Sequence, residues 1–382
     1  TTPALSNGDS LDVLVAFNID ALDGHGSEIS DTGILVYDSE AFDLPDTANN
    51  LNVVALPFEE LGKSTGNPRA ANMVILGAIQ QFVEWPEQYL QDFNVRRFSR
   101  GRENDEEVVA VNAMGLDLGK QAAKDSGFSL GELAPPEPPR YEQILMKGND
   151  SLSLGAIVNG LDFFVGYPIS PATSILQFME ANLHGEGKFV YQSSSEIESI
   201  NTVAGGGFSG KKAMTSTAGP GFTLMGEGLG LAWMMEIPLV VADVQRGGPA
   251  TGLPTKTEQS DLYVALHPAH GDAELPVIAP GTVEECFYAA GMALNWAERY
   301  QGPVILLSEH MLSERTQNIP KPDLSKIEDE RRLVYTGNNG YQRYEGSGLS
   351  PMPIPGGPGA YVANASEHDG IGDTTHLPQR HV

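Results

Sequence analysis

Four short stretches of this chain of 382 residues carry residue types and spacings that could do chemistry. The first is GYPISPATS (166–174), where the apolar run LDFFV gives way to a segment of helical spacing. Ser170 is a good helix N-cap, and Pro171 in the first turn has no N–H to lose. Capping does not explain Pro168, which turns the chain away from helix a step earlier. The second is YQSSSEIESI (191–200), with Glu196 and Glu198 opening a helix. Acids there suit the helix dipole. Yet Glu196 shares a face with Ile200 and Val203, which turns its carboxyl inward. Glu198 lies about 200° round the helix and faces solvent.

The third stretch, TSTAGPGFTLM (215–225), sets Gly219, Pro220 and Gly221 after a strand and before a helix. It lacks the Lys-Ser/Thr pair of a phosphate-binding loop. By itself it reads as a turn, or as a place where backbone approaches a flat ligand or a neighbouring subunit. The fourth, DVQRGGPATGLPTKTEQSD (243–261), is the longest and holds Arg246, Thr251, Thr255, Lys256 and Thr257. Long ordered loops inside compact domains are usually functional. A cation among hydroxyls, in so acidic a chain, suits an anion such as a carboxylate or phosphate, or else a surface ion pair for Arg246. HGD (270–272) follows and is unspecific alone.

These loops need elements to hold them. Strands are expected at FFVGYP, KFVYQ, KKAMTST, IPLVVADV, PVIAP and GPVILLSE. Helices are expected at PATSILQFMEANL, EIESINTVAGGGF, FTLMGEGLGLAWMM and TVEECFYAAGMALNWAERY. Strands that alternate with helices imply βαβ units and a parallel sheet, with ligands beyond the carboxyl ends of the strands. All four loops fall at those ends. Before them, LDVLVAF, TGILVYDS and LNVVALP read as buried parallel strands, and NMVILGAIQQFV as a buried helix. The segment 127–148, rich in Pro, reads as a stiff linker. Beyond about residue 336 Gly, Pro and Asn dominate and periodicity is lost.

The charge is −27, from 50 acidic against 23 basic residues. Such a balance disfavours nucleic acid, whose phosphates need cationic neutralisation. Acids scattered over a whole surface suit a halophile, where they serve solubility, or else an ordinary acidic bacterial protein. No apolar run reaches membrane-spanning length, and no basic-then-apolar leader is visible, so a cytoplasmic location is expected. The single cysteine, Cys286, excludes an internal disulfide and a cluster held by this chain's thiolates; helical spacing makes it a small buried hydrophobe.

With the four loops in order, the chain resembles the alpha subunit of 2-oxoacid:ferredoxin oxidoreductases, most closely the 2-oxoglutarate type. GNDSLSLGAIVNGLDFFVGYPISPATSI, AMTSTAGPGFTLMGEGLGLAWMMEIPLVVADVQRGGPATGLPTKTEQSDL and HGD carry the likeness through almost the whole chain. GNPRAANMVILGA resembles the end of a gamma domain fused ahead of alpha. The family usually has Thr where Ser170 stands, and a TSGPG-like loop where this chain reads TAGPG.

The resemblance implies an α/β fold. It consists of a partial gamma domain (1–126), the Pro-rich linker (127–148), a pyrimidine-type thiamine-diphosphate-binding domain with a parallel sheet (149–335), and an extended segment (336–382) leading to a missing domain. The chain is thus expected to be a fragment of a haloarchaeal subunit. The implied activity is CoA-linked oxidative decarboxylation of 2-oxoglutarate to succinyl-CoA, with electrons passed to ferredoxin. Pyruvate as substrate, or a non-catalytic scaffold of the same fold, are the alternatives. Glu196 resembles the family's glutamate that hydrogen-bonds N1′ of the aminopyrimidine. Ser170, Arg246 and Thr255 are candidates for the substrate, and Tyr167, Pro168, Gly219, Pro220 and Gly221 for the cofactor. No metal ligands are expected in this chain. Mg2+ and a [4Fe-4S] cluster are expected on a beta subunit, which would share the thiamine diphosphate across the interface of an (alpha-beta)2 assembly. An acidic ferredoxin would be repelled except at high salt, where the screening length shrinks to about 3 Å.

Overall fold

The computed structural model describes residues 8–133, 141–337, 341–344, 348–359, 361, 363–369, 372 and 374. The chain divides into two compact units, Thr1–Pro138 and Pro139–Val382. In the first, strands β1 (Leu11–Ala16), β2 (Ile29–Tyr37) and β3 (Asn52–Ala55) form a parallel sheet in that order, with helix α1 (Ile19–His25) after β1. Leu14, Ala16 and Leu35 fill one face, Ile34, Val36 and Val54 the other, so continuous apolar runs are what a sheet covered on both sides requires. Helices α2 (Phe58–Ser64), α3 (Ala71–Phe82), α4 (Glu87–Phe98) and α5 (Asp105–Ser126) complete this unit. Sequence reading identifies α3 and misses α4 and α5. The buried face of α5 is built from Asn112, Gly115, Leu116, Gly119 and Ala123, which carry too little apolar contrast to show a helical period.

The second unit starts inside the expected linker. Gln143–Lys147 is strand β4, paired antiparallel with β11 (Thr316–Pro320), and helix α6 (Gly148–Val158) follows at once. The Pro-rich core of that linker, 134–140, lies outside the described residues. Next come β5 (Phe163–Gly166), α7 (Thr173–Asn182), β6 (Phe189–Gln192), α8 (Glu196–Phe208), β7 (Ala213–Thr217), α9 (Gly219–Leu224), α10 (Gly226–Met234), β8 (Leu239–Gln245), α11 (Leu262–Leu266), β9 (Val277–Ile278), α12 (Val283–Tyr300), β10 (Pro303–Glu309) and α13 (His310–Glu314). The six strands other than β4 and β11 form one parallel sheet, ordered β6-β5-β7-β8-β10-β9. All six were expected from sequence. The stretch FTLMGEGLGLAWMM, expected as one helix, is two, broken at Met225.

The layers explain the pattern. α6, α7 and α12 pack on one face through Leu152, Ile175, Met179, Cys286 and Leu294, against Val240, Ala242 and Val244 of β8. α8, α9 and α10 cover the other through Ile200, Val203, Phe222 and Leu229, against Leu239 and Val241. Every residue of β8 is buried, as befits a central strand. Cys286 lies in the core as expected, and burial pushes its thiol up to about 12, which leaves it inert. The described part of 336–382 forms no helix or strand, only isolated bridges such as Val334 with Met352. It is anchored all the same: Arg343 is buried and pairs with Glu236 at 2.7 Å.

Candidate active site

Parallel strands end together, so the four loops meet at one sheet edge. β5, β7 and β8 are adjacent, in register Gly166 to Ser216 and Thr217 to Asp243. The first loop departs from expectation. Helix α7 begins at Thr173 with Ala172 before it, so Ser170 does not cap it; the Ser170–Pro171 peptide is cis and the helix starts beyond that bend. The loop is held from two sides instead. Buried Asn149 of α6 donates from Nδ2 to the Pro171 carbonyl at 3.0 Å and to Ser174 Oγ at 2.8 Å. Arg246, from the fourth loop, donates from Nη1 to the Ser170 carbonyl at 2.6 Å.

Helix α8 starts as the second loop predicted. Ser195 is the N-cap, its side chain accepting from Glu198 N–H at 3.1 Å. Glu198 folds back to accept from Ser194 N–H and Oγ and from Tyr191 Oη, bonds that hold its carboxyl below the usual range. This arrangement closely resembles a capping box, and it keeps Glu198 on the outer face. Glu196, in contrast, is 7% exposed. It lies under the Gly219–Gly221 turn: a Cβ placed on Gly221 would meet Thr217 Oγ1 and would sit 2.6 Å from Glu196 Oε1. A Cβ on Gly219 would sit 2.7 Å from Asp261 Oδ2. Small residues in this turn therefore serve close approach to carboxylates on both sides.

The fourth loop folds on itself. Leu253 N–H donates to the Gly247 carbonyl, Gly247 N–H to the Lys256 carbonyl, and Glu258 accepts from Gly248 N–H at 2.9 Å. Arg246, 6% exposed, bridges this loop to the first by donating from Nη2 to the Thr251 carbonyl at 3.1 Å; its Nε is buried without a partner. Burial makes its guanidinium easier to deprotonate, and the charges of Asp261 and Glu196 oppose that shift. Between the third and fourth loops lies a cleft of about 550 Å³, lined by Gly219, Pro220, Thr223, Arg246, Glu258 and Asp261 among others.

Of the residues chosen from sequence, Gly219, Pro220 and Arg246 line this cleft, while Glu196 and Gly221 meet at the base of the turn. Tyr167, Pro168 and Ser170 stand on the adjoining loop that Arg246 grips. Thr255 is exposed and does not line the cleft. Sequence reading missed Asp243 and Asp261. The signal for Asp243 is plain in hindsight: an acid stands inside LVVADV, an otherwise apolar strand with every residue buried.

Residues 154–381 match the family model for pyruvate flavodoxin/ferredoxin oxidoreductase, thiamine diphosphate-binding, and residues 1–122 match that for pyruvate ferredoxin/flavodoxin oxidoreductase. The chain belongs to this oxidoreductase family. Its relatives include the KorA subunit of 2-oxoglutarate synthase from Methanothermobacter marburgensis, 44% identical over 52% of both chains. KorA of a 2-oxoglutarate oxidoreductase from Mycobacterium tuberculosis is 32% identical over 99% of this chain and 62% of its own. In three dimensions the chain is similar to 2-oxoglutarate:ferredoxin oxidoreductase from Magnetococcus marinus, solved with 2-oxoglutarate, coenzyme A and succinyl-CoA bound. The TM-score is 0.88 at 38% identity, covering 98% of this chain and 66% of that one. The chain spans about half the length of most of the curated relatives it matches. The α/β fold expected from sequence, with its gamma-like first region and a parallel six-stranded cofactor-binding domain, is therefore the fold of this family member.

Proposed function

We propose that this chain is part of the alpha subunit of a 2-oxoglutarate:ferredoxin oxidoreductase, which converts the 2-oxoacid and CoA to succinyl-CoA and CO2 and passes two electrons to ferredoxin. The observation that carries this reading is the meeting of Glu196, the Gly219–Gly221 turn and Arg246 at the carboxyl edge of a family-type sheet. The 2-oxoglutarate relatives favour that substrate over pyruvate.

The residues present fit thiamine diphosphate. The glycines let the turn pack directly on the Glu196 and Asp261 carboxyls, and the cleft that Gly219, Pro220 and Asp261 line is where a flat aminopyrimidine would sit. When bound, the cofactor would supply a nucleophilic carbon and an electron sink for decarboxylation of the 2-oxoacid. Glu196 would hold a proton at N1′, while Tyr167, Pro168, Gly219, Pro220 and Gly221 would shape the ring's seat. Arg246 offers the substrate carboxylate the guanidinium N–H groups that Ser170 and Thr251 leave free, aided by the Ser170 hydroxyl, whereas Thr255, outside the cleft, takes no part. A beta subunit would supply the Mg2+ and iron–sulfur ligands; the one cysteine of this chain is buried in the core of the sheet layers. Leu224, Leu253, Leu262 and Tyr263 stand exposed beside the site, the kind of apolar surface that a beta subunit in an (alpha-beta)2 assembly would cover. The charge of −27 suits a haloarchaeal cytoplasm.

The test is the purified full complex. Viologen reduction should be faster with 2-oxoglutarate than with pyruvate and should require CoA. Glu196→Gln should lower turnover about 10²- to 10⁴-fold, the range for losing a proton-transfer group, and slow H/D exchange at C2 of the bound cofactor. Exchange at the wild-type rate would remove Glu196 from the mechanism. Preference for pyruvate would reassign the substrate.

A further inference from the structure

Two acids at the cleft go unused by the proposed reaction, Asp261 in its lining and Asp243 buried in β8. Asp243 sits on β8, in register with Thr217 on one side and Leu307 on the other. It is fully buried, and neither carboxyl oxygen has a hydrogen-bond partner. Asp261 ends the fourth loop; its N–H donates to Gln245 Oε1 at 3.0 Å, two residues along the same face of β8. Asp261 Oδ1 accepts from Ser260 Oγ at 3.3 Å, but Oδ2 is buried without a partner. That oxygen lies against the Gly219 turn.

We propose that Asp243 carries a proton at neutral pH, so that Asp243 and Asp261 hold one negative charge between them, and that this single charge positions Arg246 and the Gly219 turn at the cleft. Three buried acceptor oxygens without donors are otherwise unexplained. A carboxylate can only accept, and one added proton turns an acceptor into a donor for its neighbours. Charge balance leads to the same place. The groups facing the pair are Arg246 and Glu258 from the fourth loop and Glu196 from α8, while β7 and β10 bring the uncharged Thr217 and Leu307. Arg246 is the one cation among them, and Glu196 already draws on it. It can offset Asp261, but a second buried charge at Asp243 would go unpaired. Burial first, then the Asp261 charge, pushes Asp243 well above the ordinary carboxyl range, and burial also raises Asp261. Asp243 is thus a positioning residue acting through Asp261 and Arg246. Its role in catalysis rests on the cleft being the reaction site, but its protonation does not.

Three measurements separate those claims. In the infrared, the wild-type full complex should show the carbonyl stretch of a protonated acid at neutral pH, and Asp243→Asn should lack it. The stability of Asp243→Asn relative to wild type should also rise with pH. A carboxyl whose folded pKa is raised stabilises fully below its unfolded pKa, about 3.9, and loses that contribution as pH rises through the folded value. Kinetically, Asp243→Leu should raise KM for 2-oxoglutarate about tenfold with little change in kcat, and Asp243→Asn should recover most of it. An infrared band unchanged in Asp243→Asn, or melting curves that stay parallel across pH, would overturn the protonation. Asn as impaired as Leu would overturn the positioning role. If Asp243→Leu does not fold, the KM of Asp243→Asn decides alone: a tenfold rise counts against the proposal. A complex without 2-oxoacid activity would defeat the proposed function yet leave the infrared and melting results standing.

Discussion

At the scale of single residues, the site depends on what is absent at Gly221. A methyl there would run into Thr217 Oγ1 and the Glu196 carboxyl, both fixed by burial. Gly221→Ala should therefore displace the turn, lower activity about 10²-fold through misplacement, and destabilise by about 1–3 kcal/mol through overpacking. Gly205 in α8 is the control: nothing lies within 4 Å of its Cβ position and it is exposed. Gly205→Ala should stabilise by about 0.5–1 kcal/mol, visible as a higher Tm. Sequence shows Glu196 clearly, because a helix phase shared with Ile200 and Val203 admits one orientation. It misleads at Ser170, where good cap chemistry suggests a helix start that the bend before Thr173 postpones. It conceals the clamp role of Arg246, because the partners are backbone carbonyls, which have no residue signature.

At the scale of elements, strands of the main sheet are legible because burial on both faces demands unbroken apolar runs. β4 and β11 are not, since their pairing is antiparallel and mostly exposed, and β4 adjoins a Pro-rich stretch. Long-range polar anchors are equally invisible in one dimension. Arg332 donates from Nε to Glu298 Oε2 at 2.9 Å and from its terminal nitrogens to the Gly207 and Lys211 carbonyls at 2.6 and 3.0 Å. Glu298 is on α12, and the two carbonyls belong to α8 and the turn after it, so one guanidinium ties helices from opposite faces of the sheet. Both partners are nearly fully buried. Glu298→Ala should leave that cation uncompensated and cost about 3–5 kcal/mol, measured by denaturant unfolding. A loss below about 1 kcal/mol would mean that the backbone carbonyls suffice to hold Arg332.

For the whole molecule, the opposing terms are local ion pairs and global repulsion. Arg331 bonds Asp162 and Asp329, and Lys212, itself buried, pairs with Asp329 at 2.7 Å. Salt weakens such pairs where they are exposed, and Arg331 and Asp329 are partly so. It also screens an excess of 27 negative charges spread over the chain. The pairs act over a few ångströms, inside the screening length of about 3 Å at 1 M, whereas repulsion among scattered acids acts over distances well beyond it. Screening should thus remove repulsion long before it dissolves the contacts. Tm is expected to rise steadily from 0.1 to 2 M KCl. Replacing two exposed acids, Asp117→Lys with Glu180→Lys, should raise Tm at low salt and flatten the slope, because fewer like charges remain to be screened. If the slope is unchanged in the double variant, salt acts through excluded-solute strengthening of apolar burial rather than through charge, and the double variant in KCl against an equally concentrated neutral osmolyte would show it as equal gains in both.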